Sequence, residues 1–133
     1  MKEALHVILQ DDVKRDAYPK TSFFNVAELN EKLKVNFADI MLAMADEHDS
    51  RNKLIWLKGE TKEYTLMNVS FSKLLERNND LIMVNKFTLI SMEAVCSFRY
   101  DFITLKNLFP VWNNKQVVLG RTYRNTFYRV YGK

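Results

Sequence analysis

Apolar and polar positions change rhythm often along this chain, and most of the rhythms are those of strands. Phe23, Phe24 and Val26 carry an extended stretch that starts near Thr21, Asn30 and Glu31 mark a turn, and residues 32–36 alternate as a returning strand. Residues 40–44 form an unbroken apolar run, the pattern of a buried strand. The polar stretch 46–52 then leads into a further strand at 53–58. Gly59 and Glu60 predict a hairpin turn, since glycine supplies the positive φ such turns require, and Tyr64 and Leu66 return from it. Residues 68–77 change to helical spacing, with Ser70 as candidate N-cap and Phe71, Leu74 and Leu75 on one face. Asn78, Asn79 and Asp80 end that helix. Strands are expected again at about 82–85, 88–91, 93–98, 101–106 and 115–119. A last helix is expected from about Thr122, with Tyr123, Phe127 and Val130 on its inner face. At the other end, residues 5–9 read as a weak strand, followed by a charged loop that ends at Pro19.

Strands, one short helix, more strands and one terminal helix predict a mostly β fold of antiparallel meanders; the α–β alternation of a parallel sheet is missing. A length of 133 residues suits one domain with a single sizeable core. Residues 1–21 are expected to be an N-terminal extension, an added strand and loop, and 22–133 the domain itself. Hydrophobic residues at 47% and charged residues at 27% exclude a disordered tail, and three glycines with two prolines leave no flexible linker. No repeat or low-complexity segment is visible. Cys96, the single cysteine, cannot form an internal disulfide, so a reducing cytoplasm is the expected compartment. No apolar run reaches the roughly 18 residues of a bilayer span, and residues 1–10 are too short and polar for a signal peptide, so no membrane insertion is expected.

Little in the sequence supports catalysis. His6 and His48 lie far apart, and neither has a cysteine or histidine partner at metal-ligand spacing. Asp46, Glu47, His48 and Asp49 read as a solvated loop, because consecutive residues of an extended segment point in different directions. Cys96 sits in an apolar stretch without a nearby histidine and is expected to pack as a small side chain. With glycine only at 59, 120 and 132, there is no phosphate-cradling loop. The sequence predicts no enzyme, no metal site and no cofactor.

Charge is more informative. Residues 1–80 hold 12 Lys and Arg against 14 Asp and Glu, whereas residues 81–133 hold 8 against 2. A basic C-terminal part on a near-neutral body is the electrostatic footprint of a polyanion partner, or else an uneven solvated surface. Asn85 and Lys86 interrupt an apolar alternation. An amide beside a long cation suits a base edge and a phosphate, and equally suits a plain β-turn. Arg121 and Arg124 flank Tyr123 where the last helix begins, within reach of phosphates or as the basic surface of an amphipathic helix. Arg51, Asn52 and Lys53 make a third polar-basic group. Trp56 and Trp112 are candidates for base stacking or for the core.

These features together resemble the DNA-binding domain of LytTR-type bacterial response regulators. Residues 37–42 are similar to that family's first strand, 54–64 to its hairpin and 69–75 to its short helix. Residues 81–91 match its signature phrase in position and hydrophobic pattern, and 118–124 its closing segment, so the resemblance covers roughly residues 22–130. Asn85, Lys86 and Phe87 stand where the family usually has His-Arg-Ser, Thr88 where it has Tyr, and Ser91 where it has Asn. Gly120, Arg121 and Thr122 replace Ser-Arg-Arg. The resemblance implies an elongated stack of antiparallel β-sheets, with one short internal helix and a short C-terminal helix, whose loops enter successive grooves of duplex DNA. By position it implies DNA contacts from Arg51, Asn52 and Lys53, from Asn85 and Lys86, and from Arg121, Thr122 and Arg124. Family members usually follow a receiver domain, for which this chain has no room, so a stand-alone module or an excised domain is expected.

Two functions follow. The first is a cytoplasmic transcription regulator that binds double-stranded DNA, as two copies on direct repeats, together with a second copy of itself or a signalling protein. The second is a LytTR-like protein-interaction module without sequence-specific DNA binding, supported by a weakly basic surface and unusually apolar loops at Phe87 and 108–112, with Phe109 and Trp112 around Pro110 as a candidate sticky patch.

Overall fold

A computed structural model describes residues 20–132. The expected strand at 5–9 and the charged loop after it lie outside the described residues. Ten strands and two helices follow in chain order: β1 Thr21–Phe24, β2 Leu33–Asn36, β3 Ile40–Ala45, β4 Lys53–Leu57, β5 Glu63–Leu66, α1 Phe71–Arg77, β6 Leu81–Asn85, β7 Thr88–Ser91, β8 Val95–Arg99, β9 Phe102–Leu105, β10 Gln116–Val118 and α2 Arg124–Tyr131. All pairings are antiparallel. They build a β1-β2 hairpin, a five-stranded sheet in the order β5-β4-β3-β7-β6 and a three-stranded sheet in the order β10-β9-β8. The mostly β fold expected from the sequence is the one observed.

The five-stranded sheet is covered on both faces, and this explains its nearly unbroken apolar runs. On one face Ile40, Ala43, Ile55, Tyr64 and Leu89 meet Phe24 and Val35 of the β1-β2 hairpin and Leu74 of α1. On the other, Met41, Leu42, Trp56, Val84 and Ile90 meet Ile103, Leu105 and Val117 of the small sheet, Trp112 and Phe127 of α2. A bulge in β3 between Ile40 and Leu42 turns both Met41 and Leu42 toward the second core. Phe127 makes edge contacts with Phe98 and Tyr131 at centroid distances of 4.9 Å each. Truncating a fully buried aromatic of this kind costs about 3–5 kcal/mol, so Phe127 is what docks the terminal helix.

Local signals act as their chemistry predicts. Ser70 Oγ accepts from the Lys73 N–H at 3.1 Å and caps α1. Gly59 takes φ +88° in the β4–β5 turn, where a side chain would be strained. Residues 25–28 run along the free edge of β5: Ala27 N–H donates to Thr65 O at 3.1 Å, Met67 N–H donates to Asn25 O at 2.9 Å, and Glu28 takes the Thr65 hydroxyl at 2.7 Å. The edge is thereby closed to further strands.

Three expectations need correction. Cys96 is exposed on β8, the edge strand of the small sheet, so it is not a packed core residue. Val130 is exposed, and Tyr131 takes its place beside Phe127. Phe109 and Trp112 are buried against each other at 4.4 Å, which leaves Leu108, Pro110 and Val111 of that stretch outside. Of the two readings open for Trp56 and Trp112, the core one holds: both are buried, 6.0 Å apart, so neither offers a ring to a base.

Candidate nucleic-acid interface

Antiparallel connectivity brings three connections to one end of the five-stranded sheet: the β3–β4 loop, the β6–β7 turn and the segment between β10 and α2. Residue register and hydrogen bonds fix them to one another. Ala45 N–H donates to Phe87 O at 2.9 Å, joining the first connection to the second. The register of β6 on β7 jumps between Met83 and Asn85, so Val84 is an extra, bulged residue. Its carbonyl accepts from Gly120 N–H at 2.7 Å, which joins the second connection to the third. Gly120 sits at a close approach, where a side chain would press on the Tyr123 ring. A Cβ on it would stand 3.4 Å from the Asn85 Cβ, 3.4 Å from Val84 O and 3.2 Å from the Tyr123 ring.

The β6–β7 turn is a two-residue hairpin, Lys86 and Phe87, between the paired Asn85 and Thr88. Neither turn residue has a positive φ, so this is not one of the mirror-image turns that hairpins of this length favour; the adjacent bulge supplies the twist instead. Asn85 ties the turn to the third connection. Its Nδ2 donates to Val118 O at 2.9 Å, and its Oδ1 accepts from Phe87 N–H at 2.9 Å. One amide N–H and one oxygen lone pair stay outside these two bonds. Lys86 and Phe87 are left pointing outward, both exposed.

In the third segment a 3-10 turn, Arg121–Tyr123, precedes α2. Arg121 and Thr122 are exposed. Arg124 is half-buried and lies over the Tyr100 ring with its guanidinium 4.0 Å from the centroid. Tyr100 belongs to the β8–β9 turn, which the bond from Leu119 N–H to Asp101 O, 2.9 Å, holds beside the third segment. Sequence reasoning passed over Tyr100, and the signal was an aromatic in a turn, Arg99-Tyr100-Asp101, where a polar residue would ordinarily stand.

The first connection is organised differently. Arg51 makes a two-point contact with Asp49, Nε to Oδ1 at 2.9 Å and Nη2 to Oδ2 at 2.7 Å. Those bonds hold the Asp49 carboxyl down to about 2. Asn52 Oδ1 accepts from Asn68 N–H at 3.1 Å. Lys53 is buried: its ammonium donates to Ser50 O and lies 5.0 Å from the Phe71 centroid. Burial pushes the Lys53 ammonium pKa down, in the direction expected of a cation removed from water.

A groove of about 1510 Å³ runs between these elements. One wall carries Asp46, Glu47 and His48, the other Lys115 and Arg121, and the Lys86-Phe87 turn lies between. Of the eight residues singled out from sequence, Lys86, Arg121 and Thr122 gather at this site as exposed side chains. Arg124 stands behind them. Asn85, Asn52 and Lys53 make bonds within the fold, and the exposed Arg51 pairs with Asp49 of its own loop. Among the described residues, no group of three His, Cys, Asp or Glu side chains is arranged to hold a metal, and no helix is long and apolar enough to cross a membrane.

No family model matches the sequence, and no curated protein matches it. Solved structures do. One is the LytTr DNA-binding domain of a Bacillus cereus protein described as a methyl-accepting/DNA response regulator. It superposes with a TM-score of 0.63 over 87% of this chain and 100% of that domain, at 10% sequence identity. At that identity the likeness is one of fold, and the fold of this chain is that of a LytTR-type domain.

Proposed function

We propose that this chain binds duplex DNA through the Lys86-Phe87 turn and the Arg121-Thr122 segment, and that it acts in transcription regulation. The observation that carries the reading is the pairing of these two connections. Lys86 and Arg121 project from backbone stitched by the Val84–Gly120 and Asn85–Val118 bonds. Among the described residues, neither cation has an ion-pair partner. Cations that form no ion pair, although Asp46 and Glu47 line the same groove, remain open to phosphates, and release of the DNA counterions would drive association. The fold shared with a DNA-binding domain supports the same reading. Two copies on direct repeats would double the contact set. A cytoplasmic setting agrees with the lone, exposed Cys96.

The reading as a protein-interaction module rests on apolar loops at Phe87 and at 108–112; Phe109 and Trp112 are core, which weakens it, while Phe87, Leu108 and Val111 stay exposed.

The test is a salt series of binding to random-sequence duplex DNA, read by fluorescence anisotropy. The expected result is log affinity falling linearly with log salt, with a slope near −0.9 for each phosphate neutralised. Absence of binding even at about 20 mM salt, where a non-specific phosphate binder is tight, would rule the proposal out.

A further inference from the structure

Phe87 is the least expected residue of the interface. It occupies the tip of a two-residue hairpin, a position usually taken by Asn, Asp or Gly, and 62% of its surface is exposed. It packs with neither hydrophobic core. Nothing in folding calls for an aromatic ring there.

Its backbone, by contrast, is held on both sides. The Phe87 N–H donates to Asn85 Oδ1 at 2.9 Å, its carbonyl accepts from Ala45 N–H at 2.9 Å, and Asn85 is itself tied to Val118. An exposed apolar side chain on so fixed a turn loses little freedom on contact, which is the condition for a preorganised recognition element. It stands next to Lys86, and Arg121 lines the same groove, so a phosphate backbone seated on those cations would bring bases to the ring. A two-stranded ribbon fits the major groove of B-DNA, about 12 Å wide. In that groove the base feature that an apolar group matches is the 5-methyl of thymine. The neighbouring Asn85 amide is held back by its bonds to Val118 O and the Phe87 N–H, whereas the Phe87 ring has no partner in either core.

We propose that Phe87 reads sequence by packing against a thymine 5-methyl group in the major groove, in the role that the sequence pattern suggested for Asn85. This assignment rests on the DNA-binding reading above and specifies which base feature it recognises.

The experiment begins with full-length chain used to enrich duplexes from a random-sequence pool. In an enriched duplex each thymine is then replaced in turn by deoxyuridine, which lacks only the methyl group. At one or two positions the wild type should bind about fourfold more weakly, the value of burying one methyl group. Phe87→Ala should lose a similar factor on the thymine duplex and lose nothing more on the deoxyuridine duplex, with an unchanged salt slope. Because the ring is outside the core, Phe87→Ala should keep the wild-type unfolding midpoint. Phe87→Leu, still apolar, should retain part of the discrimination. If Phe87→Ala keeps the full deoxyuridine sensitivity, or if the wild type binds with a normal salt slope and ignores the methyl groups, the Phe87 assignment is overturned while DNA binding stands. If no duplex is bound at low salt, the DNA-binding reading fails, and the assignment fails with it.

Discussion

The β3–β4 loop and the pair of connections opposite it contain similar letters and use them in opposite ways. In the first, Arg51 closes on Asp49, Asn52 caps the Asn68 N–H and Lys53 is buried over Phe71, so the polar groups satisfy each other. In the second, one amide, Asn85, does the internal bonding for two connections and leaves Lys86, Phe87, Arg121 and Thr122 turned outward. A count of cations would rank the two regions equal. An account of where each donor and acceptor goes separates them, because a cation already paired with a carboxylate has less charge to offer a phosphate than one that stands unpaired.

Charge reversal is the strongest way to break this contrast. Lys86→Glu with Arg121→Glu should weaken binding to random duplex DNA by roughly 100-fold at low salt and flatten the salt slope by about 1.8. Arg51→Glu should change affinity by less than about threefold, since an exposed ion pair contributes little and Arg51 is already neutralised. Equal losses in the two variants, measured by anisotropy under one buffer, would erase the distinction.

Asn85→Ala tests the scaffold role. It leaves Val118 O and the Phe87 N–H to solvent at the surface, and should lower stability by about 1 kcal/mol in denaturant titrations. DNA affinity should fall too, with the salt slope kept, because the turn loosens while its cations remain. An unchanged midpoint would show that the amide is not holding the turn.

The smallest effects concern Asp49. Its carboxyl is depressed in the fold, from an ordinary 3.8 to about 2, so its contribution is fully present above pH 3.8 and fades as pH falls through about 2. Carboxylate chemical shifts followed by NMR should place its titration there. Asp49→Asn should also free Arg51 and raise DNA affinity about twofold at low salt, making the first loop more like the other two. A titration near 3.8 would mean that the Arg51 contact does not persist in solution.

Much of the fold was legible because the hydrophobic register carries it. Residues 40–44 are apolar on successive positions since both faces of their strand are covered, and Ser70, Gly59 and Leu74 announced their cap, turn and core contact directly. Cys96 and Val130 were misjudged for one reason: apolar character locates a residue near a core without saying which side of an edge strand or a terminal helix is covered. The site was legible in part. Lys86 and Arg121 stood out as charges, but the occupation of Asn85 depends on Val118, 33 residues away, and no local pattern encodes that partner. Phe87 was visible all along as an unusual turn residue, and only its exposure and its fixed backbone give it meaning.

The doubly covered central sheet has a consequence for how the chain tolerates change. Leu42 and Ala43 are neighbours in sequence that belong to different cores, as are Ile55 with Trp56 and Leu89 with Ile90. Sliding any of these strands by one residue would exchange the contents of both compartments together, so alignment is locked twice over and owes little to the loops. Insertions and deletions in the connections at the strand ends should then leave the scaffold aligned, which frees the surface formed by those connections to diverge in length and lettering while the sheet beneath it stays in step.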